Sequence, residues 1–186
     1  MTCIVAIIDG NCVLMGSDSA AVDEEGSIQI RVGPSKCWKQ SVEDEQFLVG
    51  FAGGFAEGLF IRHAFQWPAK KNSESLFDWL VSKVQPRLQK KLAERFHNRL
   101  ESIDWQLIVA FKPGRIFTLT PCGDVCETSS NYSAIGSGSN AALSCLETLQ
   151  HEKSNSRSWE KIDLALRMAE HFHWSVRGPF HTEVLV

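Results

Sequence analysis

Apolar and β-branched residues run almost without interruption from Thr2 to Ile8, stop at Asp9-Gly10, and resume from Cys12 to Gly16. Two short apolar runs around an Asp-Gly turn predict an antiparallel hairpin, its first strand opening at the start of the sequence. Ile28 to Val32 and Phe47 to Phe51 predict further strands, with Gly33-Pro34 as a break between them. From Gly53 the period changes: Ala56, Leu59, Phe60, Ala64 and Trp67 recur at helical spacing until Pro68 stops them. Asn72-Ser73 offers a cap for a second, longer stripe formed by Phe77, Leu80, Val81, Val84, Leu88 and Leu92. Pro86 falls on the opposite, solvent-facing side of that stripe, which predicts a kink rather than a break.

Two strands then follow, Trp105 to Phe111 and Ile116 to Thr120, joined by the turn Lys112-Pro113-Gly114-Arg115, and another near Tyr132 to Ile135. Ala142, Cys145, Leu146 and Leu149 mark a third helix, and Ile162, Ala165, Leu166, Ala169 and Phe172 a fourth. A last strand is predicted near Phe180 to Leu185. The continuous apolar strands want cover on both faces, and the amphipathic helices must lie outside something. The economical arrangement is α+β: two stacked antiparallel sheets flanked by helix pairs, a four-layer αββα sandwich. One domain over residues 1–186 is expected, since this length suffices for a single core. Only the stretch His151 to Ser158 is linker-like.

Composition narrows the function classes. Hydrophobic content of 44%, charged content of 22% and a net charge of −3 give no electrostatic reason to expect nucleic acid or an anionic membrane. Lys70-Lys71 and Lys90-Lys91 are the densest basic stretches, and solvated helix ends account for them. No apolar run reaches the roughly 18 residues of a membrane span, and the broken N-terminal run lacks a basic leader, so a cytoplasmic protein is expected. The six cysteines are spread along a chain too long to need staples, which predicts buried thiols in a reducing compartment. Cys122 and Cys126 lack a second ligand pair, and His171, His173 and His181 lack a carboxylate pattern, so neither group predicts a metal site. No cofactor is expected.

A strand that opens the sequence is useful if its first residue reacts. A free α-amino group has a pKa of about 7.7 to 8.0, so on a threonine it can take the proton of its own hydroxyl. Thr2 becomes such a group once Met1 is removed, and a residue as small as threonine after the initiator favours that removal. The nucleophile then needs a cation, an anion to hold it, and backbone donors for an oxyanion. Lys36 and Asp18, within Gly16-Ser17-Asp18-Ser19, are candidates for the pair, with a surface lysine and a turn aspartate as the plain alternatives. Gly50 is odd inside an apolar strand, where glycine marks a close approach of backbone or ligand. The run Gly136-Ser137-Gly138-Ser139 suits an anion at a helix N-terminus but lacks the lysine of a P-loop and the third glycine of a dinucleotide fingerprint.

Most of the chain resembles proteasome β-subunits and their bacterial HslV-type relatives, which are N-terminal-nucleophile (Ntn) hydrolases. The resemblance rests on Thr2-Cys3-Ile4-Val5, Gly16-Ser17-Asp18-Ser19-Ala20, Lys36, Gly50-Phe51-Ala52-Gly53-Gly54 and Ala134-Ile135-Gly136-Ser137-Gly138-Ser139, in that order. It implies a threonine peptidase with Thr2 as nucleophile and base, Lys36 as activating ammonium and Asp18 as its partner. It further implies Gly50 N–H as oxyanion donor and Ser137 beside the terminal amine. A peptide or unfolded protein would bind as an added strand beside the segments after Ser19 and at Gly50. Ala21, Val22, Leu48 and Ala52 are the candidate substrate-binding residues, and the small apolar character of Ala21, Leu48 and Ala52 suits an apolar side chain in the first specificity pocket. Homo-oligomeric stacked rings are implied, and a separate ATP-dependent unfoldase is a candidate partner.

The chain also departs from the family. Val22 stands where a threonine is common, and near the C-terminus Glu170-His171 and Trp174 replace an aspartate and a serine three residues on. Glu170 or His171 substitutes for the aspartate, or the subunit is catalytically silent. An Ntn amidase acting on a small molecule is the further alternative.

Overall fold

The computed structural model describes residues 2–22, 28–30, 34–96 and 104–186, with the backbone alone described for 28–30. The first sheet has the order β10-β1-β2-β11, formed by Tyr132–Ile135, Ile4–Asp9, Cys12–Ser17 and His181–Leu185. The second has the order β5-β6-β7-β8-β9, formed by Cys37–Val42, Glu45–Ala52, Gln106–Phe111, Arg115–Leu119 and Val125–Glu127. A short hairpin pairs β3 (Ala20–Val22) with β4 (Ile28–Ile30). Every pairing is antiparallel. The predicted Ile28 to Val32 strand is thus described only to Ile30; Val32, like Gly33 of the predicted break, lies outside the described residues.

Three apolar layers make the four-layer sandwich. Cys3, Val5 and Ile7 of the first sheet face Ala142, Leu146, Ile162 and Leu166 of α4 (Ser139–His151) and α5 (Ser158–Phe172). Ile4, Ala6, Val13 and Met15 point the other way, against Leu48, Ile108 and Ala110 of the second sheet. Phe47, Val49 and Phe111 then face the outer helices α1 (Phe55–His63), α2 (Leu76–Trp79) and α3 (Gln85–Phe96), around an aromatic cluster with Trp67 and Trp79. Strand alternation sorts each sheet's residues between two apolar layers, which is why the strands read as unbroken apolar runs. Strands β5 and β9 escape that signature because they are edge strands with polar residues, as in Lys39-Gln40-Ser41.

The helices differ in detail from the predicted ones. The first ends at His63 rather than Trp67 and buries Glu57 and Ile61, while Ala56 and Ala64 are exposed. The second is capped by Ser75, whose Oγ accepts the Asp78 N–H at 3.0 Å, and not by Asn72-Ser73. Pro86 is accommodated by a π turn, Leu80–Val84, in which Gln85 N–H reaches back five residues to the Leu80 carbonyl. The wide turn loosens the backbone that the proline ring would crowd, and it shifts the helical phase. Leu80, Val84, Leu88 and Leu92 stay buried, Trp79 joins them, and Phe77 and Val81 turn outward.

Candidate active site

The register of the β1–β2 hairpin builds the first half of the site. Ile4 pairs with Ser17, so Asp18 lies opposite Cys3, donating its own N–H to the Cys3 carbonyl at 3.2 Å. The Asp18 carboxylate is fully buried and accepts three donors: Cys3 N–H at 3.0 Å, Ala20 N–H at 3.1 Å and Lys36 Nζ at 2.7 Å. Lys36 comes from the other sheet, just before β5, where its carbonyl accepts the Phe51 N–H at 3.0 Å. The ion pair therefore bridges the two sheets. Burial pulls the Lys36 ammonium below its ordinary pKa, and the Asp18 charge and hydrogen bond act against that pull.

Strand β10 supplies the second half. Ile4 also pairs with Ile135, so residues 136–138 run beside Thr2, which is itself buried. Thr2 N donates to Ser137 Oγ at 3.2 Å, Ser137 Oγ lies 3.3 Å from the Thr2 carbonyl, and Gly138 N–H donates to the same carbonyl at 3.2 Å. Gly136 has φ +90°, and a Cβ there would stand 2.2 Å from the Thr2 carbonyl oxygen, so this position requires glycine twice over. Its N–H is held at 2.7 Å by Gln106 Oε1 from β7, a second tie between the sheets. Thr2, Asp18 and Lys36 line one cavity of about 320 Å³.

The structure thus brings together Thr2, Asp18, Lys36 and Ser137, but it separates Gly50 from them. Gly50 sits between the sheets, where a Cβ would meet Ile4, Ile108 and Met15 at 2.7–2.9 Å. The close approach it permits is sheet on sheet. Phe51 N–H points toward β5, so the alternate residue Gly50 directs its N–H to β7 and the Ile108 partner in the ladder. Gly53 and Gly54, immediately after β6, line the cavity instead. By the same alternation Leu48 and Ala52 face the inter-sheet layer and not the cavity, whereas Ala21 and Val22 do line it.

Glu170 and His171 do not line the cavity. Glu170 Oε1 accepts the Gly178 N–H at 3.0 Å, and His171 is exposed against Phe172. Trp174 is half exposed and stacks on His173. The loop they enclose braces the site from behind: Ser19 N–H and Oγ donate to the carbonyls of Arg177 and Pro179 at 2.9 and 2.5 Å. Residues that the sequence did not mark as part of the site also form the cavity wall, among them Trp38, Phe51, Leu59 and Arg62. The signal available for Arg62 was its spacing of three from Leu59, which places both on one helix face. The Cys3 thiol, next to Thr2, is pushed up to about 12 by burial and by Asp18, so it is no thiolate at neutral pH. Among the described residues no group of three or more histidine, cysteine, aspartate and glutamate side chains is placed to hold a metal ion.

An αββα sandwich with a buried threonine at the head of its first strand and a lysine-aspartate pair beside it has the Ntn hydrolase fold. A sequence model of the proteasome subunit family matches residues 1–173, and the chain belongs to that family. It is 28% identical over 168 residues to the ATP-dependent protease subunit HslV of Caldicellulosiruptor saccharolyticus, covering 90% of this chain and 89% of that one. The crystal structure of eukaryotic HslV from Trypanosoma brucei superposes with a TM-score of 0.72 over 99% of both chains at 19% identity. The Thiobacillus denitrificans BPH structure, in complex with epoxomicin, gives 0.75 over 99% of this chain and 98% of that one at 17% identity. These two likenesses establish the shared fold. Among the described residues no helix is long and apolar enough to cross a membrane.

Proposed function

We propose that the chain is an N-terminal threonine peptidase, and the observation that carries this reading is the buried Asp18–Lys36 pair beside Thr2, bridging the two sheets. Hydrolysis of the Met1–Thr2 bond frees the α-amino group, which Ser137 Oγ already faces. The amine takes the Thr2 hydroxyl proton as Oγ1 attacks the peptide carbonyl. The Lys36 ammonium lowers the proton affinity of the hydroxyl, and Asp18 keeps Lys36 charged in a site whose burial opposes the charge. The oxyanion takes a hydrogen bond from the Gly53 N–H, the role that Gly50 cannot fill from inside the sheet. The amine passes its proton to the departing amine of the substrate, and then deprotonates the water that releases the acyl group from Thr2. The substrate lies as an added strand along Ala20 to Val22 on one side and Gly53 on the other.

The HslV relatives are named subunits of an ATP-dependent protease. On that likeness the chain works as a homo-oligomeric ring fed by a separate ATPase, on peptides or unfolded proteins. The test is direct. Intact mass of the purified protein should lack Met1, and Thr2→Ala should reduce cleavage of acyl-peptide substrates to background with an unchanged melting temperature. A mutant as active as the parent overturns the mechanism. The outward positions of His171 and Trp174 favour a second reading, a ring subunit without activity, and retention of Met1 in the purified protein would establish it.

A further inference from the structure

The cavity has a wall that the chemistry at Thr2 leaves unused. Phe55, Gly58, Leu59 and Arg62 of α1 line it, whereas Glu57 and Ile61 are buried on the other side of the helix. Trp38 and Phe51 also line the cavity, so among the described residues the side chains of this wall are apolar apart from the Arg62 guanidinium. Arg62 Nη1 donates to the Ser35 carbonyl, and its guanidinium carbon lies 5.5 Å from the centroid of the Trp38 ring. Both contacts hold the plane in place. Nε and Nη2 have no hydrogen-bond partner among the described residues, and Arg62 is only partly exposed. The other charged groups among the described residues of the cavity are differently disposed. Lys36 and Asp18 are paired with each other, and Asp104 is exposed and forms no ion pair with Arg62.

We infer that this recess receives the substrate side chain on the acyl side of the scissile bond and selects an acidic one, with Arg62 as the specificity-determining residue. The inference rests on the peptidase reading. The planar guanidinium presents two donors side by side to a carboxylate, and partial burial strengthens that pair relative to one in water. The rings of Phe51, Phe55 and Trp38 accept the methylene groups that carry a glutamate carboxylate inward. An apolar side chain would leave the two donors unpaired, and a lysine would face a like charge. This replaces the expectation of an apolar pocket, which rested partly on Leu48 and Ala52, residues that face the inter-sheet core.

The experiment compares three fluorogenic peptides that differ only in the residue before the scissile bond: Glu, Leu or Lys. With the purified, processed enzyme, kcat/KM for the Glu peptide should exceed that for the Leu peptide by about tenfold or more, and the Lys peptide should be poorest. Arg62→Gln retains a donor for the Ser35 carbonyl, so any displacement of Lys36 affects both peptides alike and cancels in their ratio. In that variant the Glu-to-Leu ratio should fall about 10- to 100-fold. Asp104→Asn should raise it. A parental ratio at or below one, or a ratio unchanged in Arg62→Gln, overturns the inference. If no peptide is cleaved but a peptide vinyl sulfone labels Thr2 by mass spectrometry, the acidic pocket is overturned and the nucleophile stands. If Thr2 is not labelled either, both fall.

Discussion

Asp18 is the residue on which the site turns, because one buried carboxylate serves three donors from three different segments. Two are backbone N–H groups that hold the strand ends, and the third is the Lys36 ammonium. Asp18→Asn leaves Lys36 without its counter-charge in surroundings whose burial already pulls its pKa down. Removing one partner of a buried pair costs about 3–5 kcal/mol. Urea denaturation of the variant should show a loss of that size, and peptide cleavage should fall at least a hundredfold. Asp18→Asn combined with Lys36→Met should recover most of the stability and none of the activity. Recovery of activity in the double variant would remove Lys36 from the mechanism.

At the scale of elements, β6 decides which residues can serve the site. Phe47, Val49 and Phe51 face the outer helices, while Leu48, Gly50 and Ala52 face the other sheet. Only where the strand ends do backbone groups reach the cavity. Two glycine variants separate the roles. Gly50→Ala forces a methyl group against Ile4, Ile108 and Met15 side chains and should cost about 1–3 kcal/mol of stability by overpacking. At a temperature where that variant is folded, its kcat should stay within about twofold of the parent, because no catalytic group moves. Gly53→Ala keeps its N–H, but at φ +153° and with a Cβ 2.8 Å from the Phe51 ring it displaces the backbone that aims this proposed oxyanion donor, and it should lower kcat by about 10²-fold. A larger kcat loss in Gly50→Ala than in Gly53→Ala returns the donor to Gly50.

For the whole molecule, the two sheets and their helices enclose ionisable groups whose protons are linked to folding. Burial raises the Cys3 thiol from 9.0 to about 12, and it raises Cys37 as well. In the unfolded chain these thiols ionise from about pH 9, while in the folded protein they keep their protons. The folded state then binds more protons, so the contribution of these thiols is complete below pH 9 and is lost as pH rises toward 12. Lys36 has the opposite sign, since its lowered pKa makes the unfolded chain the better proton binder below 10.5. Equilibrium unfolding of the parent and Cys3→Ala between pH 8 and 11 checks this. Above pH 9 the variant should lose stability less steeply than the parent, by about 1.4 kcal/mol per pH unit. Parallel profiles would mean that Cys3 ionises as readily folded as unfolded.

The sequence by itself determined the hairpin that opens the chain and most of the succession of strands and helices, because apolar periods and turn dipeptides are local signals; residue type made Asp18 and Lys36 candidates for the site, and the family resemblance added Ser137. It also located Pro86 on an outer face, though not the π turn that absorbs it. Edge strands such as β5 escaped notice, since a polar edge carries no apolar run. Tertiary structure alone decided which parity of β6 faces which layer. Where both faces of a strand are buried, alternation separates the residues into two sets without saying which neighbour each set meets. A glycine inside an apolar strand therefore reads equally as a site residue or as a contact between sheets, and the packing of Ile4, Ile108 and Met15 on Gly50 makes it the latter. Likewise Arg62 became part of the cavity wall only when α1 docked its face against β5 and β6, a placement fixed by contacts between segments far apart in the chain.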